Sequence, residues 1–187
     1  MNRRLTFCTS NTHKLGEASA ILGRRGIKVV PDSLTEKIEI QSMDVRKIAQ
    51  FSLDCIPKKR EYFVEDTGLF IKALNGFPGP FAAYTFKSIS YHGILRLLET
   101  HDDRSAYFLS AIAFRDKNGN CHMFEGRIDG HIAHGPAGDR GFGFDPIFVP
   151  DVNSNLKTFA ELDDDLKNRI SHRGLALDKL ALLILNS

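Results

Sequence analysis

The sequence lacks a disulfide framework and a long apolar segment. Its three cysteines are an odd number with no C-x-x-C pair, which is typical of a reducing compartment. The most apolar stretch, residues 175–185, is too short to span a bilayer and is interrupted by Asp178 and Lys179. Met1 is followed by three polar residues and a short apolar run, which is not the pattern of a signal peptide. We therefore expect a cytoplasmic protein without a membrane partner.

A large excess of one charge is also absent. The net charge of +2 is too small to indicate a general nucleic-acid-binding surface, so any anion must be bound by locally placed lysines, arginines and backbone N–H groups. The hydrophobic fraction of 42% and the charged fraction of 26% are typical of a globular protein. With 187 residues, no internal repeat and no linker, the sequence predicts a single domain over residues 1–187.

The glycine-rich phosphate loops G-x-x-x-x-G-K-[ST] and G-x-G-x-x-G are absent, but another anion-binding pattern is present. Residues 5–9 predict a strand, and Ser10, Asn11 and Thr12 are all favoured first residues of a helix that we expect to continue to about Arg25. Lys14 lies one turn inside it. A helix N-terminus attracts phosphate, although capping side chains alone would explain the same residues.

The remaining pattern predicts an α/β fold with a mixed sheet. Further strands are expected at residues 27–30, 106–114 and 121–132, the last two joined by a hairpin at Asn118-Gly119. Another strand begins at residues 62–64, and the chain is apolar again at residues 69–71. Helices are expected after Asp44, over residues 88–100, and from Ser171 to the last residues. Strands and helices alternate early in the chain, whereas a hairpin dominates the middle.

Two adjacent carboxylates interrupt the apolar strand in Val64-Glu65-Asp66-Thr67-Gly68. One interpretation is a solvated strand end with a turn; the other is a carboxylate that holds a metal or accepts a proton at the edge of a cleft. In a strand, Glu65 and Asp66 would point to opposite faces, so only one should face the cleft. Glu39 either lies on the polar face of a strand or, beside Asp66, supplies a second oxygen to Mg²⁺.

Two later segments carry further candidate residues. Gly141-Phe142-Gly143-Phe144-Asp145 offers either a stacking platform for a flat base or two core phenylalanines. Lys167, His172 and Arg173 gather cations near a helix start, where the helix dipole disfavours them, so they indicate a bound anion or base unless they form a solvated edge. His131 and His134 lack a third ligand with suitable spacing, which disfavours a zinc site.

Four segments together resemble the inosine triphosphate pyrophosphatase family. They are TSNTHK at residues 9–14, VEDTGLFIKALNGFPGPF at 64–81, GFGFDPIF at 141–148 and TFAEL…LKNRISHRGLAL at 158–177, in the family's order. The resemblance implies hydrolysis of ITP, dITP and XTP between the α- and β-phosphates, giving a nucleoside monophosphate and pyrophosphate. It also implies a Mg²⁺ cofactor, a homodimer, and an elongated mixed sheet flanked by helices, with two lobes around a central cleft.

The resemblance also assigns roles to residues of this chain. It implies that Asp66 accepts a proton and binds metal together with Glu39. It implies nucleotide contacts from Thr9, Ser10, Asn11, Thr12, His13, Lys14, Thr67, Phe142, Gly143, Phe144, Asp145, Lys167, His172 and Arg173. One departure is that Phe51 stands where some members have a lysine, for which Lys47 is the nearest substitute.

Two other functions remain open at this level. A related pyrophosphatase that acts on modified pyrimidine or methylated nucleotides would need the same phosphate-binding residues and a different base pocket. A binding module for RNA or nucleotides is the non-enzymatic alternative, which the near-neutral charge and the placed acidic residues disfavour. The signature helix of Nudix hydrolases is absent.

Overall fold

The computed structural model describes residues 3–32, 35, 37–57, 61–152 and 156–186. Within them lie seven strands: β1 Arg3–Phe7, β2 Ile27–Pro31, β3 Tyr62–Ile71, β4 Pro78–Gly79, β5 Ser105–Arg115, β6 Cys121–Ile132 and β7 Phe148–Pro150. The α-helices of these ranges are α1 Thr12–Gly23, α2 Val45–Asp54, α3 Ala82–Leu97, α4 Asp164–Ile170 and α5 His172–Leu185. None of the helices in the described ranges combines the length and the apolar character that a membrane span requires.

The strands form one sheet that contains both parallel and antiparallel pairs. Their order is β2-β1-β3-β5-β6-β7, and β4 pairs with β3 beside this path. β1 is parallel to both β2 and β3, whereas β4 is antiparallel to β3 and β7 is antiparallel to β6. The parallel pairs are possible because helices lie in the β1–β2 and β2–β3 connections. The α/β fold with a mixed sheet predicted from the sequence is confirmed.

The chain divides into two compact units, which we describe separately. Unit 1 comprises the described residues within Met1–Asp66, Ser110–Gly126 and His172–Ser187. Unit 2 comprises those within Thr67–Leu109 and Arg127–Ser171. The strands β3, β5 and β6 each contribute residues to both units.

The core of unit 1 joins α1 and α5 to the parallel strands. In α5, Leu177, Leu180 and Ile184 recur at helical spacing and are buried, which explains why this part of the chain packs as a helix. Phe7 of β1 and Phe63 of β3 stack with their ring centroids 4.2 Å apart. This core supports the end of β1 and the middle of β3, where the polar candidate residues begin.

The core of unit 2 is rich in aromatic side chains. Phe148 of β7 lies 4.8 Å from Phe108 and 5.1 Å from Phe159, measured between ring centroids, and all three side chains are buried. Ile94 of α3 and Ile128 of β6 belong to the same cluster. The cluster supports the loop before β7, which carries the Phe-Gly-Phe-Asp segment.

Several boundaries differ from the sequence-based expectations. β3 runs unbroken through the Glu65-Asp66-Thr67 motif, so the interpretation as a strand end with a turn is wrong. Glu39 lies in irregular backbone, so the alternating-strand interpretation is wrong there too. The helix expected from Ser88 already begins at Ala82, because Thr85 N–H bonds to the carbonyl of Phe81 directly after the proline-rich turn. β7 and α4 were not predicted, since each is too short to show a period.

Candidate active site

The start of α1 is organised by Asn11. Its side-chain oxygen accepts hydrogen bonds from the backbone N–H of His13 at 3.0 Å and of Lys14 at 3.1 Å, and its own N–H donates to Thr9 Oγ1 at 3.2 Å. The capping explanation of this segment is therefore confirmed. Two of the first N–H groups of the helix are already bonded, so a phosphate here would depend on the remaining donors and on Lys14.

The side chains of this helix start differ in exposure. Ser10, Thr12 and His13 are exposed, whereas Lys14 is half-buried. Burial lowers the pKa of the Lys14 ammonium; the charge of Glu65 opposes that shift, Lys37 and Arg173 add to it, and Asp66 opposes it. Lys14 is thus electrostatically coupled to both carboxylates of β3, so the start of α1 lies near the acidic motif within unit 1.

Glu65 is a buried and fully engaged anion. Ser110 Oγ donates to it at 2.7 Å, and Arg173 Nε donates to its two oxygens at 2.9 and 3.0 Å. Burial by itself would raise the pKa of Glu65, but the charges of Arg173 and Lys14, together with the hydrogen bonds, outweigh it and lower the pKa. Arg173 also pairs with Glu17. Glu65 therefore stays ionised and anchors the motif.

Asp66 has the opposite character. It is 7% exposed, and its buried Oδ2 has no hydrogen-bond partner in the part of the chain that the structure describes. Burial is the main cause that raises the pKa of Asp66 to about 6; the cations Lys14 and Lys37 oppose it, whereas Glu39 adds to it. A carboxylate with an uncommitted oxygen and a pKa close to neutrality suits proton transfer or the binding of a cation.

Glu39 meets Asp66 through a third residue, Lys37. The side chain of Glu39 is 52% exposed, and its Oε1 accepts a hydrogen bond from Lys37 Nζ at 2.5 Å. The same Nζ donates to the backbone carbonyl of Glu65 at 2.8 Å and lies 3.9 Å from Asp66 Oδ1. The two predicted metal-binding carboxylates thus face one position.

These oxygens fit a hard cation held by few protein ligands. Within the described ranges, no group of three or more His, Cys, Asp and Glu side chains is arranged as a complete metal cage. Mg²⁺ commonly uses one or two carboxylates and completes its shell with water and substrate phosphates. The uncommitted Oδ2 of Asp66 and the nearby Glu39 match that requirement.

In unit 2, Asp145 organises the glycine-rich loop. Its Oδ2 accepts hydrogen bonds from the backbone N–H of Phe142 and from Lys167 Nζ, both at 2.7 Å. Gly141 has φ 70°, and a Cβ there would lie 2.2 Å from Asp145 Oδ2, so a glycine is required. Gly143, at φ 65°, makes the next bend. The loop is therefore folded around a buried ion pair.

The two phenylalanines of this loop have different environments. Phe144 is buried and meets the Phe86 ring edge-on at a centroid distance of 5.5 Å, so it belongs to the core. Phe142 is half-buried, and Lys167 Nζ lies 5.1 Å from its ring centroid. The core interpretation therefore applies to Phe144, whereas stacking of a base on Phe142 stays a prediction.

The sequence patterns missed three features of the site. The first is Lys37, which lies two residues before Glu39 and bonds to it. This short spacing could have indicated that the two side chains lie together. Gly126 of β6 allows the start of α5 to approach, because a Cβ there would lie 1.9 Å from the backbone oxygen of His172. The bond between Arg173 and Glu65 joins distant parts of the chain and has no local signal.

Two other predicted contact residues differ in exposure: His172 is buried where α5 approaches Gly126, and Thr67 is half-buried in β3.

Comparison with known proteins assigns the chain to a family. The model of the Ham1 family matches residues 5–182. The dITP/XTP pyrophosphatase of Ignicoccus hospitalis is 42% identical over 184 residues, which cover 97% of this chain and 96% of that protein. The dITP/XTP pyrophosphatase of Thermococcus kodakarensis is 43% identical over 180 residues, covering 95% of each chain.

A solved structure agrees with the fold. A HAM1 protein from Coxiella burnetii superimposes with a TM-score of 0.82 at 31% identity, covering 99% of this chain and 100% of that one. The matches in sequence and in fold extend over nearly the whole chain. The chain therefore belongs to the Ham1 family.

Proposed function

We propose that the protein hydrolyses the deaminated purine nucleoside triphosphates ITP, dITP and XTP to the nucleoside monophosphate and pyrophosphate. Relatives named dITP/XTP pyrophosphatase, 42% and 43% identical over almost the full length, support this activity. The structural observation that carries it is Asp66, a buried carboxylate with an uncommitted oxygen beside the cations Lys14 and Lys37. Removing these nucleotides from the cytoplasmic pool would keep deaminated purines out of nucleic acids.

The triphosphate is assigned to unit 1. Lys14 and the start of α1 offer a cation and N–H donors to phosphate oxygens. We assign Mg²⁺ to the oxygens of Glu39 and Asp66. This assignment is supported by the position of both carboxylates near one atom, Lys37 Nζ. When bound there, the cation withdraws negative charge from the phosphate oxygens that it contacts.

Asp66 is assigned the proton transfer. Above pH 6 it is mostly ionised, so it can orient a water molecule in line with the α-phosphorus and accept its proton. The water oxygen forms a bond to the α-phosphorus, and the bond from that phosphorus to the bridging oxygen of the pyrophosphate breaks. Lys14 stabilises the charge on the departing pyrophosphate. Glu65 keeps β3 in place through Arg173 and does not take part in proton transfer.

The base is assigned to unit 2. The ring of Phe142 offers a face for stacking. Hypoxanthine and xanthine present an N–H donor beside the O6 acceptor, and Asp145 and Lys167 offer an acceptor next to a donor, held 2.7 Å apart. Adenine presents the reversed pattern, so its amino donor would face the ammonium of Lys167 and its N1 acceptor would face the carboxylate of Asp145, which is unfavourable in a buried site. Guanine shares O6 and the N–H, so this pair does not exclude it.

Some expectations stay predictions. They include the single domain, the central cleft and the roles of Thr67, His172 and Arg173 as nucleotide contacts. Because Arg173 already bonds to Glu65 and Glu17, Lys167 is our preferred donor to O6. The homodimer is likewise a prediction, which light scattering would test.

The activity is tested with a substrate panel. Purified protein is incubated with ITP, dITP, XTP, GTP and ATP in the presence of Mg²⁺, and pyrophosphate is resolved from orthophosphate. We expect pyrophosphate from the deaminated purines and far slower cleavage of ATP. Release of orthophosphate, or equal cleavage of ATP and ITP, would overturn the proposal, and omission of Mg²⁺ tests the cofactor.

A further inference from the structure

The ammonium of Lys37 lies where oxygens of three residues converge. Its Nζ is 2.5 Å from Glu39 Oε1, 2.8 Å from the backbone carbonyl of Glu65 and 3.9 Å from Asp66 Oδ1. Two of these atoms are carboxylate oxygens and the third is a carbonyl oxygen, a set that also suits a hard metal cation. One protein cation thus lies among the groups assigned to the divalent ion.

The position of Lys37 is that of a partly buried charge, not of a freely moving surface lysine. Its side chain is 15% exposed, compared with 10% for Asp66 and 52% for Glu39. A lysine ammonium donates up to three hydrogen bonds, and two are already made with Glu39 and Glu65. The ion pair therefore compensates charge at a partly desolvated site, where such pairs are screened less than at the surface.

We propose that Lys37 is an internal counter-ion of Glu39 and Asp66, which a divalent cation must displace before it binds both carboxylates. The inference rests on the proposed function, because that function assigns the two carboxylates to the metal. Lys37 Nζ bonds to Glu39 Oε1 and lies 3.9 Å from Asp66 Oδ1, so a divalent cation held by both side chains would stand close to the ammonium, where two positive charges repel strongly. Lys37 therefore weakens metal binding to the nucleotide-free protein.

The displacement links metal binding to nucleotide binding. A triphosphate brings oxygen ligands for the metal and offers negative charge to the released ammonium, so the penalty for displacement is smaller when nucleotide is present. The coupling is reciprocal, since a ligand that favours the displaced state must itself bind more tightly to it. Lys37 acts here as a positioning residue, through the carboxylates and not through the reacting phosphate.

The test measures binding of Mg²⁺ or Mn²⁺ to the nucleotide-free protein by isothermal titration calorimetry. We expect Lys37→Met to bind the metal about two- to fivefold more tightly than the wild type, the range appropriate for loss of one partly exposed ion pair. Lys37→Arg keeps the charge and should stay close to the wild type. In a Glu39→Gln background the effect of Lys37→Met should shrink, which separates displacement at Glu39 from a general effect of charge.

The outcomes separate this inference from the proposed function. If Asp66→Asn loses metal binding but Lys37→Met binds the metal no more tightly than the wild type, the role of Lys37 is overturned and the metal assignment stands. If Asp66→Asn and the wild type do not differ in metal binding, the assignment of the metal fails, and the role of Lys37 fails with it. The substrate panel tests the hydrolytic activity independently of both results.

Discussion

Arg173 binds Glu65 with its Nε shared between the two carboxylate oxygens, at 2.9 and 3.0 Å, although 108 positions separate the residues. Both side chains are 2% exposed, so their charges are compensated almost entirely by protein groups. The pair joins α5 to the middle of β3 and thereby holds the residue that precedes Asp66. The Arg173–Glu65 pair therefore contributes both to the free energy of folding and to the geometry of the site.

We predict that Glu65→Gln lowers the free energy of unfolding by about 3–5 kcal/mol, because it removes the carboxylate charge that is bonded to Nε of the buried Arg173 guanidinium. Arg25→Met is the matched control: Arg25 pairs with Asp178 at 2.8 Å, but both side chains are more than a third exposed, so the loss should be about 1 kcal/mol or less. Urea denaturation measures both. Equal losses would show that the Arg173–Glu65 pair is not a buried anchor.

Asp66 should reduce stability as it ionises. Its pKa in the folded protein, about 6, lies above its ordinary value, so the folded state holds the proton more tightly and loses stability as the pH rises through this range. Asp66→Asn removes the effect. In metal-free buffer, we predict that the variant gains on the wild type between about pH 4 and pH 6, reaching at most about 3 kcal/mol. A gap that is independent of pH would contradict the burial of this carboxylate.

Gly126 is expected to be required for the approach of α5. In Gly126→Ala, the new Cβ would lie 1.9 Å from His172 O and 2.6 Å from the backbone N of Ala176, and neither backbone atom can move alone. We predict a loss of at least about 2 kcal/mol in the free energy of unfolding. Gly16→Ala in α1 is the control, because its Cβ meets no atom within 4 Å and should stabilise the helix by about 0.5–1 kcal/mol. A neutral Gly126→Ala would show that the helix can shift.

Two substitutions in unit 2 should separate stacking from base selection. Phe142→Leu removes the ring face and should raise KM for all purine substrates by a similar factor, about 5- to 150-fold for a loss of 1–3 kcal/mol. Asp145→Asn should mainly narrow the preference for ITP over ATP, because an amide can donate as well as accept. Steady-state kinetics with both nucleotides measures the two effects. An equal effect of Asp145→Asn on the kinetics with ITP and with ATP would contradict the assignment of Asp145 to base selection.

Helix caps and hairpin turns could be predicted from the sequence because each depends on a few neighbouring residues. Asp44 accepts from the N–H of Arg46 and caps α2 as predicted, and Asn118-Gly119 lies in the turn of the predicted hairpin. The start of α3 was missed: α3 begins at Ala82, directly after the prolines and glycines of residues 75–80, which favour turns.

The sequence identified residues of the candidate site, but it did not predict the contacts that connect them. The resemblance pointed to Glu39 and Asp66, yet the link through Lys37 depends on irregular backbone that has no period. The environment of Arg173 depends on a carboxylate far away in the chain, and cation clustering at a helix start could not distinguish a nucleotide from Glu65 as the partner. Phe142 and Phe144 look alike in sequence, and only the packing around Phe86 separates them.

The most direct test of the account is the rate of pyrophosphate formation from ITP by Asp66→Asn at pH 8 with saturating Mg²⁺. An amide cannot accept the proton of the attacking water, so we predict that kcat falls by about 100-fold or more. Urea denaturation should show that the variant is at least as stable as the wild type. A folded variant that retains kcat within about tenfold of the wild type would remove Asp66 from proton transfer and contradict the account.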